Sequence, residues 1–401
     1  MIYGEENRMD TLVLNMSGNV TEENVPALDK DFQKEIESEK PENIVIDMSQ
    51  LVSISSAGLR LIMKLSEQFP ALSLVNVNDQ VYDILETTGF TKMFDVKRAY
   101  KEISLKGLPV LGEGATATVY RIDNEKVVKI YKEGISEEEL LSEQKETRNA
   151  FITGVPTMIA FESVRAGNQL GTVYEAINSE PLISIYSGAS PEKRRELIVK
   201  YAAAVKKMCR IKVKPEEFPR LRTERLRQFQ AVKEKLAPDT RDALEHMLKA
   251  IPNDTTFSHG DCHMGNFMTD PEGRFIVIDL GISGCGNPIF SLNAVCLYRL
   301  LTELLPEDSY REKTLLSFRE GVELFHQFIA AYFHGADEKD TENIKKAVYL
   351  YCCLLSAINY VGTPLVSDEM FRVLTDRVKE ALDEGFDPSV VFKALKDPKN
   401  D

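Results

Sequence analysis

No uncharged apolar run among the 401 residues reaches the ~18 that a helical membrane span needs, and the opening MIYGEENRMD lacks the basic-then-apolar pattern of a secretory leader. The protein is therefore expected to stay in the cytoplasm and to have no membrane partner. The six cysteines (Cys209, Cys262, Cys285, Cys296, Cys352 and Cys353) lack CxxC spacing, and Cys352 and Cys353 lie side by side in an apolar helical stretch, so all six read as reduced thiols. Acidic residues outnumber basic ones, 63 to 49. A net charge of −14 repels nucleic acid and anionic lipid alike, which removes both from the expected partners. The acidity suits a cationic substrate, and it serves plain solubility equally well. No internal repeat or low-complexity tract interrupts the chain.

What is present is an ordinary globular composition: 43% hydrophobic, 28% charged and 8% aromatic residues argue against disorder along either half. The length exceeds what a single hydrophobic core supports, so two domains are expected. From about Met9 to Val96, strands and helices alternate. Leu12, Leu14 and Met16 alternate as a strand, Val25 to Glu37 is helical, and Ile44-Val45-Ile46 reads as a buried central strand. Leu59, Ile62, Leu65 and Phe69 recur at helical spacing over Ser56 to Phe69. Leu72 to Val77 reads as a strand and Val81 to Thr88 as a short helix ending at Gly89. Lys97 to Gly107 is basic and polar without periodicity and marks the boundary. Beyond it, Leu111 to Ile130 reads as two strands joined across Asp123-Asn124, Glu137 to Ile152 as a helix, and Phe161 to Ile177 as strands turning at Ala166-Gly167-Asn168. From Ser190 onward helices dominate, apart from a strand-rich island at Thr255 to Gly281.

Chemistry concentrates in four places. Gly112-Glu-Gly114-Ala-Thr116-Ala117 is a glycine-rich turn between strands, where backbone N–H groups can approach phosphate oxygens; a purely structural turn reads equally well. Ten residues after Val119 stands Lys129, inside the apolar strand Val127-Val128-Lys129-Ile130, where a buried ammonium needs a partner. Glu143 and Glu146 share a face of the next helix and both qualify, with Glu143 favoured. Next, Ser258-His259-Gly260-Asp261-Cys262-His263-Met264-Gly265-Asn266 sets a carboxamide five residues after a carboxylate. That spacing fits a loop in which Asp261 orients and deprotonates a hydroxyl while Asn266 binds a metal. His263 reads as a contact to phosphate or substrate, or as a brace of the loop; Cys262 has no adjacent base. Finally a short strand, Phe275 to Ile278, delivers Asp279-Leu280-Gly281, a carboxylate suited to bridging magnesium and phosphates.

The segment from about Ile103 to the C-terminus resembles the aminoglycoside phosphotransferase and choline kinase branch of the protein-kinase-like fold, through GEGATATVY, VVKIYK, HGDCHMGN and IDLG. The resemblance implies a two-lobed α+β domain, 103–401, with an N-lobe over 103–175 and a helical C-lobe over 178–401. It implies ATP between the lobes, with Gly112, Gly114 and Thr116 near the phosphates. Lys129 contacts the phosphates, Glu143 pairs with Lys129, Asp261 is the base, and Asn266 and Asp279 hold Mg2+. The adenine edge meets backbone groups of Tyr174-Glu175-Ala176-Ile177, Glu175 and Ile177 in particular. HGD in place of HRD, DLG in place of DFG, and the lack of a downstream APE all point away from ordinary protein kinases. Two departures stand out. The third loop glycine is Ala117, and the aspartate that members usually carry after the metal loop, generally thought to brace the catalytic loop, gives way to Ile289-Phe290-Ser291-Leu292.

Residues 1–100 resemble the STAS domain of anti-sigma factor antagonists, an α/β fold, through Ile44-Val-Ile-Asp47-Met-Ser49 and Ile54-Ser55-Ser56-Ala57-Gly58-Leu59. The resemblance implies a protein partner at this domain and phosphorylation at Ser56, where a helix N-terminus favours phosphate. As a plain helix start, Ser55 or Ser56 is an N-cap; Ser55 also stands where the family commonly has Asp. The reading is a STAS-like module followed by an ATP- and magnesium-dependent phosphotransferase acting on a small-molecule hydroxyl. Its rivals are a serine protein kinase acting on a STAS domain and a nucleotide-sensing module without turnover. For the acceptor, Glu303, Glu307, Asp308, Glu320 and Glu323 offer carboxylates without choosing among amines, sugars and choline.

Overall fold

Alternation sets the first strand: in β1 (Thr11–Asn15) Leu14 is sealed from solvent while its neighbour Val13 is exposed. The computed structural model describes residues 11–114, 116–132, 134–361 and 366–397, so Met9 and Ala115 of the sequence patterns above lie outside the described residues. The chain divides into two units. One runs to Leu105 and includes Ser163–Asn168; the other takes Lys106–Glu162 and Gln169 onward.

In the first unit β2 (Gly18–Val20), α1 (Val25–Glu39), β3 (Asn43–Asp47), β4 (Leu51–Ile54), α2 (Ser56–Gln68), β5 (Ser73–Val77), α3 (Asp79–Thr87) and β6 (Asp95–Arg98) follow β1. The sheet order is β1-β3-β5-β6, with every neighbouring pair parallel. Ile44 and Ile46 of β3 are fully buried, together with Leu14, Leu65 and Leu74, as an interior strand requires. Caps fix the helices: Ser55 Oγ accepts the Gly58 N–H, Asn78 Oδ1 accepts the Val81 N–H at 3.0 Å, and Gly89 leaves α3 with φ +83°. The boundary stretch Lys97 to Gly107 contains the last two residues of β6 and all of β7 (Lys101–Glu102). Its periodicity is hidden because an edge strand carries charge, here Arg98, which bonds Asp79 at 2.9 Å and lies 3.5 Å over the Tyr82 ring.

The second unit begins with three strands where two were expected: β8 (Val110–Glu113), β9 (Ala117–Arg121) and β10 (Lys126–Tyr131). Val110–Glu113 is exposed throughout, with no alternation of buried and exposed residues, yet it pairs with β9. α4 (Glu137–Thr153) has a reciprocal Ser136–Glu139 capping box and a left-handed Gly154. β11 (Ala160–Ala166) and β12 (Gln169–Glu175) turn at Gly167, φ +62°. β12, β10, β9 and β8 are antiparallel neighbours in that order.

After β13 (Glu180–Pro181), α5 (Leu182–Ser187), α6 (Pro191–Met208), α7 (Leu221–Val232) and α8 (Pro238–Ala250) open the C-lobe. Its strand-rich island, Thr255 to Gly281, contains β14 (Phe257–Ser258), β15 (Phe267–Thr269) and β16 (Phe275–Val277), and β17 (Gly284–Cys285) follows just beyond it. β14 pairs with β17 and β15 with β16. This nested pairing clamps loop 259–266 beside loop 278–283, because each loop runs from one strand pair to the other. α9 (Ile289–Leu304) is buried on nearly every side, as a central helix must be. α10 (Glu307–Thr314), α11 (Phe318–Tyr332), α12 (Glu338–Tyr360), α13 (Asp368–Asp383) and α14 (Val390–Lys396) complete the lobe. All six cysteines are free and buried. Among the described residues no helix is long and apolar enough to cross a membrane.

Ile46→Ala empties a fully buried site in the first unit, so that unit should lose about 2–5 kcal/mol, measured by urea unfolding. A loss below about 1 kcal/mol would contradict a packed core at this strand.

Candidate functional site

Strand alternation decides where Lys129 goes. Val128 and Ile130 are buried in the N-lobe core, so Lys129 projects from the other face of β10. Its Nζ lies 2.8 Å from Glu143 Oε1 and 2.9 Å from Asp279 Oδ1, joining α4 to the segment after β16. Burial pulls the ammonium pKa down, but Asp279 and Glu143 outweigh it and raise it, so Lys129 stays charged. Tyr174 Oη donates to Glu143 Oε1 at 3.2 Å, and a methyl group at Gly281 would crowd the same carboxylate. The other candidate, Glu146, is buried and accepts from Ser142 Oγ at 2.9 Å. Burial, reinforced by Glu143, pushes its carboxyl up to about 7.

Asp261 sits in a lattice of short bonds. Its N–H donates to His259 Nδ1 at 3.1 Å, and Asn266 Nδ2 donates to the Asp261 carbonyl at 2.9 Å and to Oδ2 at 3.3 Å. His263 Nε2 lies 3.4 Å from Asp261 Oδ2, while its Nδ1 accepts the Gly265 N–H at 3.0 Å. Burial would raise the Asp261 pKa, yet His263, His259 and Asn266 hold it below the usual carboxylate range. For His263, burial pulls the imidazole down and Asp261 outweighs it, raising it. Because its nitrogen faces Asp261, Asn266 leaves its carbonyl oxygen as the atom for a cation. Asp279 adopts a left-handed backbone, φ +60°, the kind of local strain that gathers at working sites.

Of the residues singled out in the sequence, Lys129, Glu143 and Asp279 are in direct contact, and Asp261 contacts Asn266. The glycine-rich turn differs from a ring of open amides: Gly114 N–H donates to the Ala117 carbonyl at 2.8 Å, and the Thr116 carbonyl accepts from Lys132 N–H. Gly112 lies within β8, opposite Val119. At the interlobe segment, Glu175 N–H donates to the Ile159 carbonyl and Ala176 N–H to the Glu125 carbonyl. Those two amides are committed, so an adenine edge there would rely on other backbone groups such as those of Ile177. Three of the five C-lobe carboxylates are also engaged. Glu320 pairs with Arg194 and caps Ser317, Glu323 pairs with Arg319, and Glu303 pairs with Arg377 and accepts from Tyr349 Oη. Glu307 and Asp308 lie in the first turn of α10. In the first unit Ser55 is the N-cap, and Ser56 is exposed at the first helical position of α2.

Three contributors escaped sequence reasoning. His259 has Nε2 3.0 Å from the Ile278 carbonyl, Ser291 Oγ accepts the His259 N–H at 3.0 Å, and Tyr174 contacts Glu143. A signal existed for His259 alone, as a histidine between the short strand Phe257–Ser258 and a glycine; Ser291 and Tyr174 are meaningful only once distant segments are brought together.

A family model described as the phosphotransferase enzyme family matches residues 107–337, and a STAS domain model matches residues 5–103. No curated protein matches the chain. Similar solved structures include the streptomycin-ATP-APH(2")-IIa ternary complex, 17% identical over 71% of this chain and 93% of that one, with a TM-score of 0.44. ADP-bound aminoglycoside phosphotransferase APH(2'')-Ib is 15% identical over 78% and 99%, TM-score 0.45. Aminoglycoside phosphotransferase APH(3'')-Id from Streptomyces rimosus is 19% identical over 62% and 93%, TM-score 0.39.

Glu146 generates a pH prediction. Its folded pKa, about 7, lies above the ordinary 4.5, so between these values the folded state holds a proton that the unfolded chain has released. Stability contributed by this group therefore falls as pH rises through that window. Glu146→Gln should remove this slope, gaining on wild type in urea midpoint between pH 5 and pH 8; parallel profiles would contradict the assignment.

Proposed function

The chain belongs to the phosphotransferase enzyme family, and on that premise we propose that its second unit transfers the γ-phosphate of ATP to a hydroxyl group of a small molecule. The observation that carries this reading is the joining of Lys129, Glu143 and Asp279 beside the Asp261–Asn266 loop. Phosphoryl transfer needs mostly positioning and neutralised charge, and a fixed ammonium, two oxygen donors for a cation and an ionised carboxylate supply both. Among the described residues there is no cluster of three or more His, Cys, Asp and Glu able to hold a metal. Magnesium takes one or two protein oxygens and completes its shell with phosphates and water. Asn266 Oδ1 and the Asp279 carboxylate would hold it. When bound, it supplies positive charge to the phosphate oxygens.

In this proposal Lys129 exchanges its Asp279 contact for phosphate while remaining on Glu143, which α4 and Tyr174 hold in place. Asp261 accepts a hydrogen bond from the acceptor hydroxyl and takes its proton late, as a loose transition state requires. The STAS domain would serve as the interaction module, with exposed Ser56 at the start of α2 as its modification site.

Two variants test the reading together. Asp279→Ala should abolish the magnesium-dependent thermal stabilisation by ATP. Asp261→Asn should keep it while cutting ADP formation with an effective acceptor by about 10²–10⁴-fold. Unchanged nucleotide stabilisation in the first, or equal turnover by wild type and the second, would contradict the proposal.

A further inference from the structure

His259 is where the loop bearing Asp261 meets the segment bearing Asp279. Its ring is sealed from solvent. Nδ1 accepts the Asp261 N–H, so the ring proton sits on Nε2 and points to the Ile278 carbonyl, one residue before Asp279. Burial lowers the imidazole pKa, which keeps this neutral form. One ring thus fixes backbone groups of both segments, but only if the backbone of His259 is itself held.

A side-chain oxygen holds its amide. Ser291 Oγ, fully buried in the first turn of α9, accepts the His259 N–H at 3.0 Å. The same oxygen receives the thiol of Cys209, the C-cap of α6, at 3.3 Å. Burial pushes that thiol up to about 12, so it remains a donor. The start of α9 is fixed in turn by Asn287. Its Oδ1 accepts the Ile289 N–H at 3.0 Å, its Nδ2 donates to Asp254 Oδ2 at 2.6 Å, and its carbonyl accepts from Ser258 Oγ at 2.9 Å. Ser291 therefore sits on a rigid mount, and it offers an acceptor without placing a charge in the core.

We propose that Ser291 is a positioning residue of the phosphotransferase, its hydroxyl oxygen holding the His259 amide and thereby setting Asp261 against Asp279. The inference rests on the phosphotransferase reading for its effect on turnover, though not for its effect on the loop. Displacing a base by a fraction of an ångström weakens phosphoryl transfer far more than it weakens nucleotide binding, since Asp261 faces the acceptor.

Ser291→Thr and Ser291→Val have nearly the same shape and differ in the hydroxyl, so comparing them cancels the cost of added bulk. Threonine should retain ADP formation while valine lowers it by about 10–100-fold relative to threonine. Magnesium-ATP affinity should be alike in the two. Backbone hydrogen exchange over 257–264 should be faster in the valine variant than in the threonine variant. Ser291→Ala, which adds no bulk, carries the valine expectation if valine does not fold. Cys209→Ala should behave as wild type, because the accepting oxygen remains. Equal turnover and equal exchange in the threonine and valine variants, or a loss in Cys209→Ala as large as that in valine, would overturn the proposal. Asp261→Asn is run alongside. If wild type shows no Asp261-dependent ADP formation the phosphotransferase reading fails, and the exchange comparison still decides whether Ser291 holds the loop.

Discussion

Two short strand pairings bring the chemistry of this chain together. β14 with β17 and β15 with β16 are only two or three residues long, yet they bind both ends of two loops. Loop 259–266 and loop 278–283 are consequently forced to run side by side. Contact along them is backbone to backbone. A methyl group at Gly260 would collide with the Ile282 carbonyl, so this position demands glycine for space rather than for conformational freedom. His259 adds the cross-link from within, and the carboxylates of Asp261 and Asp279 inherit their relative placement from this frame.

Lys129 connects that frame to the N-lobe. An ammonium largely withdrawn from water is costly unless well paired, and Glu143 together with Asp279 meets that demand. The two pairings are unequal. The Glu143 side chain is 12% exposed and further held by Tyr174, whereas Asp279 is 49% exposed and sits in a left-handed conformation that costs about 1–2 kcal/mol. The Lys129–Glu143 contact is therefore the fixed half of the bridge, and the Lys129–Asp279 contact is the half that an incoming anion can replace.

Much of this was legible in the sequence because it rests on local pattern. An apolar run located β3 and helical spacing located α2, and the two-domain order follows from length and motif. Lys129 in an apolar strand announced a need for a carboxylate, but spacing alone left Glu143 and Glu146 both on the helix face, and only the packing of α4 brings Glu143 to 2.8 Å. Exposed β8 and charged β6 carry little hydrophobic signal, so three strands looked like two and an edge strand looked like a linker. Ser291 was the least legible. As a sequence letter it marked only a missing carboxylate, whereas its value as an acceptor depends on a helix beginning 30 residues after His259 and returning beneath it. Engagement of the Gly114 amide by Ala117 was hidden for the same reason, since a motif states which residues are present and not which of their groups are already bonded.

The proposed function requires Asn266 and Asp279 to form one cation site facing a nucleotide held by Lys129. A crystal structure of the full chain with magnesium and a non-hydrolysable ATP analogue tests it most directly. The expected result is a magnesium ion bonded to Asn266 Oδ1 and the Asp279 carboxylate, with Lys129 still on Glu143 and now touching phosphate. Nucleotide bound with no metal at that pair, or metal held by residues elsewhere in the chain, would contradict it.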